Sequence, residues 1–338
     1  MKKYILIFLS FGLGFILFAA ALKEVGLKNI SLTISELSLW NFFILLGLFL
    51  LGLIVSTLRL KVIIETQYPQ LFSFSTVFIS KTAGAAISYL TPCVLAGGAP
   101  FKAYILSKEG KIPIRKTIAS IIIENVIFLS IALVFFVIGI IILLNHFTLP
   151  VNIIFFLVSV GIISSIVLLF FYYQTMNKGS GGKGFFIFLI EAFCLDKIKA
   201  INKIKTNIAD VEKDISCFFK YQKTGLFKAV FLAVVEILLF LFTCWLTVIF
   251  LGNKLGIGQI ISINALMNAV YLVPIPASLG TFEISQAFIF SLFGLSLSSG
   301  VAFSLTIRIM NLILAGIGVI FLVFFETKIT TEKMSTKT

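Results

Sequence analysis

The chain has 338 residues, of which 59% are hydrophobic and 12% are charged, and its mean hydropathy is +1.13. Soluble domains are closer to half apolar and about a quarter charged, so this composition excludes an ordinary soluble protein and predicts one polytopic all-α membrane domain over residues 1–338. The net charge of +13 does not indicate nucleic-acid binding, because most basic residues flank apolar segments, where they act as topology signals.

Six apolar segments predict membrane-spanning helices. The first, residues 4–22, follows Lys2 and Lys3 and is longer than the apolar region of a signal peptide, so we interpret it as an uncleaved span. In the second, Trp40 at one end and Arg59 and Lys61 at the other are expected to mark the two membrane interfaces. The spans after the first are predicted at residues 40–60, 117–144, 151–173, 226–251 and 299–325.

The segment 71–106 is too irregular to be a span. Pro92 ends a moderately apolar helix, Gly97 and Gly98 follow in a break, and Lys102 lies in a short second helix. At membrane depth, broken backbone persists only where protein covers it or where it lines a watery cavity. We therefore expect a broken hairpin here.

The segment 259–293 predicts a second broken hairpin. The Pro-Ile-Pro sequence at 274–276 interrupts a helix, and Gly280 can adopt backbone angles closed to other residues. Thr281 is the expected N-cap of the following helix, which places Glu283 in its first turn. An acid beside a helix break in a membrane indicates a functional site. The alternative is a kinked helix with a structural glutamate.

The distribution of basic residues orients these segments. With both termini cytoplasmic, the six spans alternate correctly only if both broken hairpins are re-entrant, one from each side of the membrane. Only Lys23, Lys28 and Lys254 then lie outside, while Lys81 and Arg308 lie within the membrane. The resulting units of opposite orientation fit an inverted repeat, on topology alone, in a plasma-membrane protein.

The segment 177–223 is the one long polar stretch. Residues 178–184 have the composition of a flexible linker, and residues 198–215 carry isoleucine and valine at helical spacing. The sequence predicts an amphipathic helix on the inner membrane surface or docked to the bundle, with lysines at 197–205 that could attract anionic headgroups. An ordinary cytoplasmic loop is the alternative.

Arg308 is the charge that most needs a partner. It lies nine positions after Ser299, roughly 13 Å into the membrane at about 1.5 Å per residue. Candidate partners are, in order of preference, Glu283, Glu236 and Glu124. A purely structural ion pair is the alternative to a binding site.

The chemistry of an enzyme is not indicated. Cys93, Cys194, Cys217 and Cys244 lack metal-ligand spacing, His146 reads as a loop residue, and no nucleophile elbow or metalloprotease motif occurs. We expect neither a metal nor another cofactor.

Two motifs resemble the lysylphosphatidylglycerol synthase transmembrane (flippase-like) family. Residues 97–106, GGAPFKAYIL, are similar to its Gly-Gly-x-Pro-x-Arg-Ala-Tyr-Leu-Leu pattern, and residues 276–283, PASLGTFE, are similar to its Pro-Gly-Gly-Leu-Gly-x-x-Glu pattern. Arg308 resembles the arginine of the family's last span. In the Glu-Arg-x-x-Asp segment of the family only Glu124 matches, since Asn125 and Phe128 replace the other two.

The resemblance implies movement of lipids, such as aminoacylated phosphatidylglycerol, between leaflets. We expect no synthase domain after the membrane part. A separate lipid-modifying synthase is therefore an expected partner, beside membrane lipids and a second copy in a homo-oligomer. A secondary transporter of a small polar solute fits the same architecture. The candidate substrate-binding residues, which include the neighbouring Asn311, are Gly97, Gly98, Lys102, Glu124, Glu236, Gly280, Glu283, Arg308 and Asn311.

Overall fold

The computed structural model describes residues 35, 37–69, 72–90, 97–146, 150–177, 184–192, 199–270, 275 and 278–335. Its regular structure is helical throughout these ranges. The helices are α1 (Leu39–Gln67), α2 (Phe74–Leu90), α3 (Ala99–Gly110), α4 (Ile114–His146), α5 (Val151–Asn177), α6 (Phe185–Ala192), α7 (Lys199–Tyr221), α8 (Lys223–Phe250), α9 (Ile257–Val270), α10 (Thr281–Leu292) and α11 (Leu297–Ser335).

Five of these helices, α1, α4, α5, α8 and α11, are long and apolar enough to cross a membrane. This confirms the all-α integral membrane class, while the predicted first span, residues 4–22, lies outside the described residues. The observed helices extend beyond the predicted apolar cores. In α1 the difference is seven residues, since the helix ends at Gln67 and not at residue 60. Arg59 therefore lies inside the helix and not at its end.

Helices α2 and α3 form an antiparallel hairpin. At its base the ring of Phe72 occupies the space above Gly110, where an added Cβ would lie 2.3 Å from Phe72 Cζ. At its tip the amide of Gly98 donates a 2.9 Å hydrogen bond to Ser88 Oγ. A Cβ on Gly98 would lie 1.8 Å from the carbonyl oxygen of Gly84, so the tip closes only because residue 98 has no side chain.

Helices α9 and α10 form the second hairpin, and its two ends lie together. Asn253, four residues before α9, donates a hydrogen bond of 3.2 Å to Ser299 Oγ, two residues into α11. Helix α10 begins at Thr281, one residue from the predicted start near 282. The predicted cap is wrong in one respect: Thr281 donates its hydroxyl backward to the Ser278 carbonyl, and Gly280 is the N-cap.

The two hairpins open at opposite ends of the helix bundle. Helix α4 begins beside the first hairpin, where Thr117 Oγ1 donates to the Ala103 carbonyl at 3.0 Å. It ends beside the start of the second hairpin, where Ser262 Oγ donates to the Gly139 carbonyl at 3.1 Å. The first hairpin also packs on α11 through its helix α2, and the second packs on α4 through its helix α9. Helices α1 and α8 pack against each other.

The predicted amphipathic helix is α7, and it is docked to the bundle. Its buried side chains, among them Val211, Ile215 and Phe218, pack against α4, α5 and α8. Asp210 on the same helix forms an ion pair with Arg115 near the start of α4. The linker residues 178–183 and the side chains of the predicted lysine cluster at 197–205 lie outside the described residues.

Candidate functional site

Arg308 and Glu283 form a buried ion pair between α11 and α10. Arg308 Nε donates to Glu283 Oε1 at 2.6 Å, and its Nη2 lies 2.5 Å from the same oxygen. Arg308 is 8% exposed and Glu283 is fully buried. Glu283, which lies beside the helix break, is therefore the partner of Arg308 among the three candidate acids. A charge at the bilayer centre costs at least about 2.5 kcal/mol, and pairing of this kind offsets such a cost.

The break in the second hairpin fixes the position of this carboxylate. Gly280, with φ 77°, directs its amide at Glu283 Oε2, which accepts the hydrogen bond at 2.8 Å. Glu283 thus uses one oxygen for the backbone of its own hairpin and the other for Arg308. Because most L-residues avoid positive φ, the glycine permits this geometry.

Arg308 also contacts the first hairpin. Its Nη1 donates to the hydroxyl of Tyr89, the penultimate residue of α2, at 3.4 Å, and its Nη2 lies 3.5 Å from the Ser278 carbonyl oxygen. A single guanidinium therefore joins the tips of both hairpins to the last long helix. Its planar array of donors makes this possible.

Glu124 is the centre of a second buried cluster. Its Oε1 accepts from Arg59 Nη2 at 2.9 Å and from Lys81 Nζ, which also donates to the Ser56 carbonyl at 3.1 Å. Glu124 Oε2 lies 3.8 Å from Lys102 Nζ. The cluster joins α1, α2, α3 and α4 around one carboxylate.

The Arg59 guanidinium extends this cluster to α8. Its Nη1 lies 2.6 Å from Glu236 Oε2, and its carbon Cζ lies 4.9 Å from the centre of the Phe128 ring. Arg59 is only 2% exposed. The prediction that Arg59 lies at the end of the second span is therefore wrong, since α1 continues to Gln67. The apolar residues 62–64 that follow it are the sequence signal that the helix continues past the charge.

The two clusters differ in charge. Arg308 and Glu283 balance each other, whereas the second cluster holds three cations against two acids. The acids are Glu124 and Glu236, and the cations are Arg59, Lys81 and Lys102. With every group in its ordinary ionised form, the second cluster carries a net charge of +1.

Helix α2 connects the clusters. Lys81 belongs to the Glu124 cluster and Tyr89 contacts Arg308. Lys81 and Tyr89 are eight positions apart, which is roughly 12 Å along the helix. The intervening face carries the small residues Gly84, Ala85 and Ser88.

The other predicted site residues have more limited contacts. Gly97 and Gly98 form the turn before α3, and Gly98 lies against α2. Asn311 donates its Nδ2 to the Ile307 carbonyl of its own helix at 3.0 Å, so it is one turn from Arg308 without bonding it.

Two polar residues of the second hairpin were not predicted. Gln286 is fully buried one turn after Glu283, and neither atom of its amide has a hydrogen-bond partner within the described part of the chain. Ser278 has φ 46°, and its Oγ also has no hydrogen-bond partner within the described part of the chain. Their polarity is the sequence signal, yet glutamine and serine are too common in helices for that signal to select them.

Two cavities border the described residues away from these charges. One of about 700 Å³ is apolar and lies between the start of α4 and helices α6 and α7. The other, of about 180 Å³, lies between the base of the first hairpin and the end of α11. Neither is lined by a charged residue of the two clusters. In the described residues no group of three or more histidine, cysteine or acidic side chains could hold a metal.

Comparison with known proteins gives the chain a family. The UPF0104 membrane protein MJ1595 of Methanocaldococcus jannaschii is 25% identical over 278 residues, which cover 77% of this chain and 78% of that protein. No solved structure matches the chain. The family model described as the lysylphosphatidylglycerol synthase TM region matches residues 5–318. The chain belongs to this family of membrane proteins.

Proposed function

We propose that this protein moves a lipid, such as a phospholipid or its aminoacylated form, between the leaflets of the plasma membrane. The observation that carries the proposal is the position of Arg308, which contacts Glu283 in one hairpin and Tyr89 in the other. A charged headgroup crossing a bilayer needs polar partners near the midplane, and buried charges at helix breaks supply them.

The hairpins are re-entrant in this proposal. Their helices have 17, 12, 14 and 12 residues. At about 1.5 Å per residue each is shorter than the ~30 Å hydrocarbon core. Lys108, Lys111 and Lys116 near the base of the first hairpin favour a cytoplasmic position for that end by the positive-inside rule. The tips then meet inside the membrane.

The packing supports an inverted repeat of two units. Helices α1 to α4 form one unit and α8 to α11 form the other, so that α2 corresponds to α9 and α4 to α11. A two-fold axis in the membrane plane then exchanges the α2–α11 contact with the α9–α4 contact, and both are extensive. Repeats of this kind alternate access to a site between them by rocking or gating.

Headgroup passage would involve exchange of partners at Arg308. Guanidinium binds carboxylate and phosphate in the same bidentate geometry, so a headgroup phosphate can compete with Glu283. When the headgroup leaves, Glu283 again neutralises the arginine. The acyl chains remain in the bilayer, since only the polar part of the lipid needs the charged residues.

The test is lipid movement in proteoliposomes. The full chain is reconstituted, fluorescent lipids of differing headgroup are placed in one leaflet, and their appearance in the other is measured with a membrane-impermeant quencher. We expect movement above protein-free vesicles for at least one headgroup, retained in Lys254→Gln, whose exposed lysine lies in the loop before α9. Uptake of a small polar solute without movement of any lipid would refute the proposal in favour of solute transport.

A further inference from the structure

We infer that the Glu124 cluster binds the phosphodiester of the transported lipid, and that Lys102 is the side chain that contacts it. This inference rests on the proposed lipid movement and specifies its substrate class. The class is a lipid with a phosphate diester in its headgroup, whatever else that headgroup carries.

The charge of the cluster indicates a ligand with one negative charge. Among the residues that the structure describes, three cations face two acids in this buried site, while Glu283 is paired with Arg308. An uncompensated charge at this depth is unfavourable. A phosphate diester carries one negative charge and neutralises the cluster, whereas a phosphate monoester carries about −1.5 to −2 and overcompensates it.

The hydrogen bonds identify Lys102 as the cation available to a ligand. Lys81 bonds both Glu124 and the Ser56 carbonyl, and Arg59 lies between two carboxylates. Lys102 Nζ makes no hydrogen bond within the described part of the chain, and its distance of 3.8 Å from Glu124 Oε2 exceeds a hydrogen bond. Its three N–H donors are therefore free for oxygen acceptors.

The backbone around Lys102 directs it to this position. An added Cβ on Gly84 would lie 2.4 Å from Lys102 Cγ, so the lysine stem crosses α2 where α2 has no side chain. Lys102 lies in the first turn of α3, and the N-cap Gly98 offers no side-chain hydrogen bond to that turn. A helix N-terminus attracts anions, which adds to the charge of the lysine.

The position also suits a lipid on its path between the leaflets. Lys102 is near the tip of the first hairpin, and helix α2 leads from the Glu124 cluster to Tyr89 and Arg308 over roughly 12 Å. A phosphodiester released from Lys102 would meet the guanidinium next. The two clusters then act as successive sites. The Glu124 cluster carries an excess of positive charge, whereas the charges of Arg308 and Glu283 balance each other.

The experiment compares binding and movement across lipids whose headgroups carry a phosphodiester, a phosphate monoester or no phosphate. Phosphatidylglycerol, phosphatidylethanolamine, phosphatidic acid and a phosphate-free glucosyl diacylglycerol are tested with the wild-type chain, Lys102→Gln, Lys102→Arg and the control Lys254→Gln. Lipid retention in detergent is measured by native mass spectrometry, and movement is measured in proteoliposomes. Inorganic phosphate and glycerophosphoglycerol are added as soluble competitors. Thermal unfolding of each variant monitors folding.

We expect both phosphodiester lipids to bind and move, and the glycolipid to do neither. Lys102→Gln should weaken phosphodiester binding by at least about tenfold, which is the effect of losing a charge-assisted hydrogen bond. Lys102→Arg should retain most of the binding, and Lys254→Gln should be unchanged. If the Lys102→Gln variant unfolds, two comparisons decide the question. These are Lys102→Arg against the wild-type chain, and the phosphodiester lipids against the glycolipid.

Three results would overturn the inference: equal binding of the glycolipid, unaltered phosphodiester binding by folded Lys102→Gln, or competition by inorganic phosphate at the concentration at which the lipid binds. The last would assign the site to free phosphate. If no lipid moves with the wild-type chain, the proposed function fails, but lipid binding that depends on Lys102 would still establish the phosphodiester site. The two failures are therefore distinguishable.

Discussion

The hydroxyl of Tyr89, at the end of α2, lies 3.4 Å from Nη1 of Arg308, in the first third of α11, although 219 positions separate them in the sequence. This contact joins the first hairpin to a guanidinium whose other donors face the second hairpin. A movement that separates the hairpins must break at least one of these interactions. The contact is therefore a sensitive point at which to test coupled motion.

Replacement of Tyr89 by phenylalanine removes the hydroxyl and retains the ring. The net value of a hydrogen bond, about 0.5–1.5 kcal/mol, corresponds to a change of roughly two- to tenfold in a conformational equilibrium. We expect the rate of lipid movement to change by a factor within this range, while the amount of inserted protein stays constant. A matched control is Tyr173→Phe on the exposed surface of α5. Equal rates in the two variants would contradict a role for the contact.

The Arg308–Glu283 pair is tested by a change that preserves charge. Arg308→Lys keeps the ion pair but loses the planar donors that reach Ser278 and Tyr89. We expect Arg308→Lys to insert normally and to lose most lipid movement. Glu283→Gln leaves Arg308 without its carboxylate and should lower the protein level, since breaking a buried pair costs about 3–5 kcal/mol.

The measurement is lipid movement per correctly inserted molecule in Arg308→Lys, Glu283→Gln and the double variant. If Arg308→Lys moves lipid at the normal rate, and both single variants lose protein to the same extent, Arg308 is a structural partner only. It would then leave the candidate site.

The sequence predicts the charges of the site better than their grouping. An arginine deep in a span requires an acid, and the glutamate beside a proline-and-glycine break is the acid most constrained in position, so Glu283 could be ranked first. The Glu124 cluster has no such local signal. Glu124 is 65 residues from Arg59 and 43 from Lys81, and only the packing of α1 against both α2 and α4 brings them together. Helical periodicity does not contain this information.

The topology of the hairpins is tested by cysteine accessibility. Ser75→Cys and Lys108→Cys lie on the exposed surface at the base of the first hairpin, and Lys254→Cys lies in the loop before the second. In a chain whose native cysteines are replaced, we expect an impermeant maleimide to label the first two from the cytoplasmic side only. Position 254 should be labelled from the outside only. Labelling of positions 75 and 108 from different sides would show that this segment crosses the membrane.

The last prediction separates backbone strain from the loss of a specific hydrogen bond. Gly280 and Gly294 have nearly equal positive φ, 77° and 74°, and they lie at the two ends of α10. An alanine at either position is strained by about 1–3 kcal/mol, because L-residues rarely adopt such angles. Only Gly280 holds a site residue, through the 2.8 Å hydrogen bond from its amide to Glu283 Oε2. A Cβ on Gly294 meets nothing within 4 Å.

We therefore expect Gly280→Ala and Gly294→Ala to lower thermal stability to a similar extent and to differ in function. Gly294→Ala should move lipid normally once corrected for inserted protein. Gly280→Ala should be strongly impaired, and Gly280→Val more so, because a change in φ at residue 280 turns its amide away from Glu283 and releases the carboxylate that orients Arg308. If the two alanine variants lose lipid movement only in proportion to their lost stability, the turn at Gly280 serves folding alone, and the placement of Glu283 by its own hairpin has no part in transport.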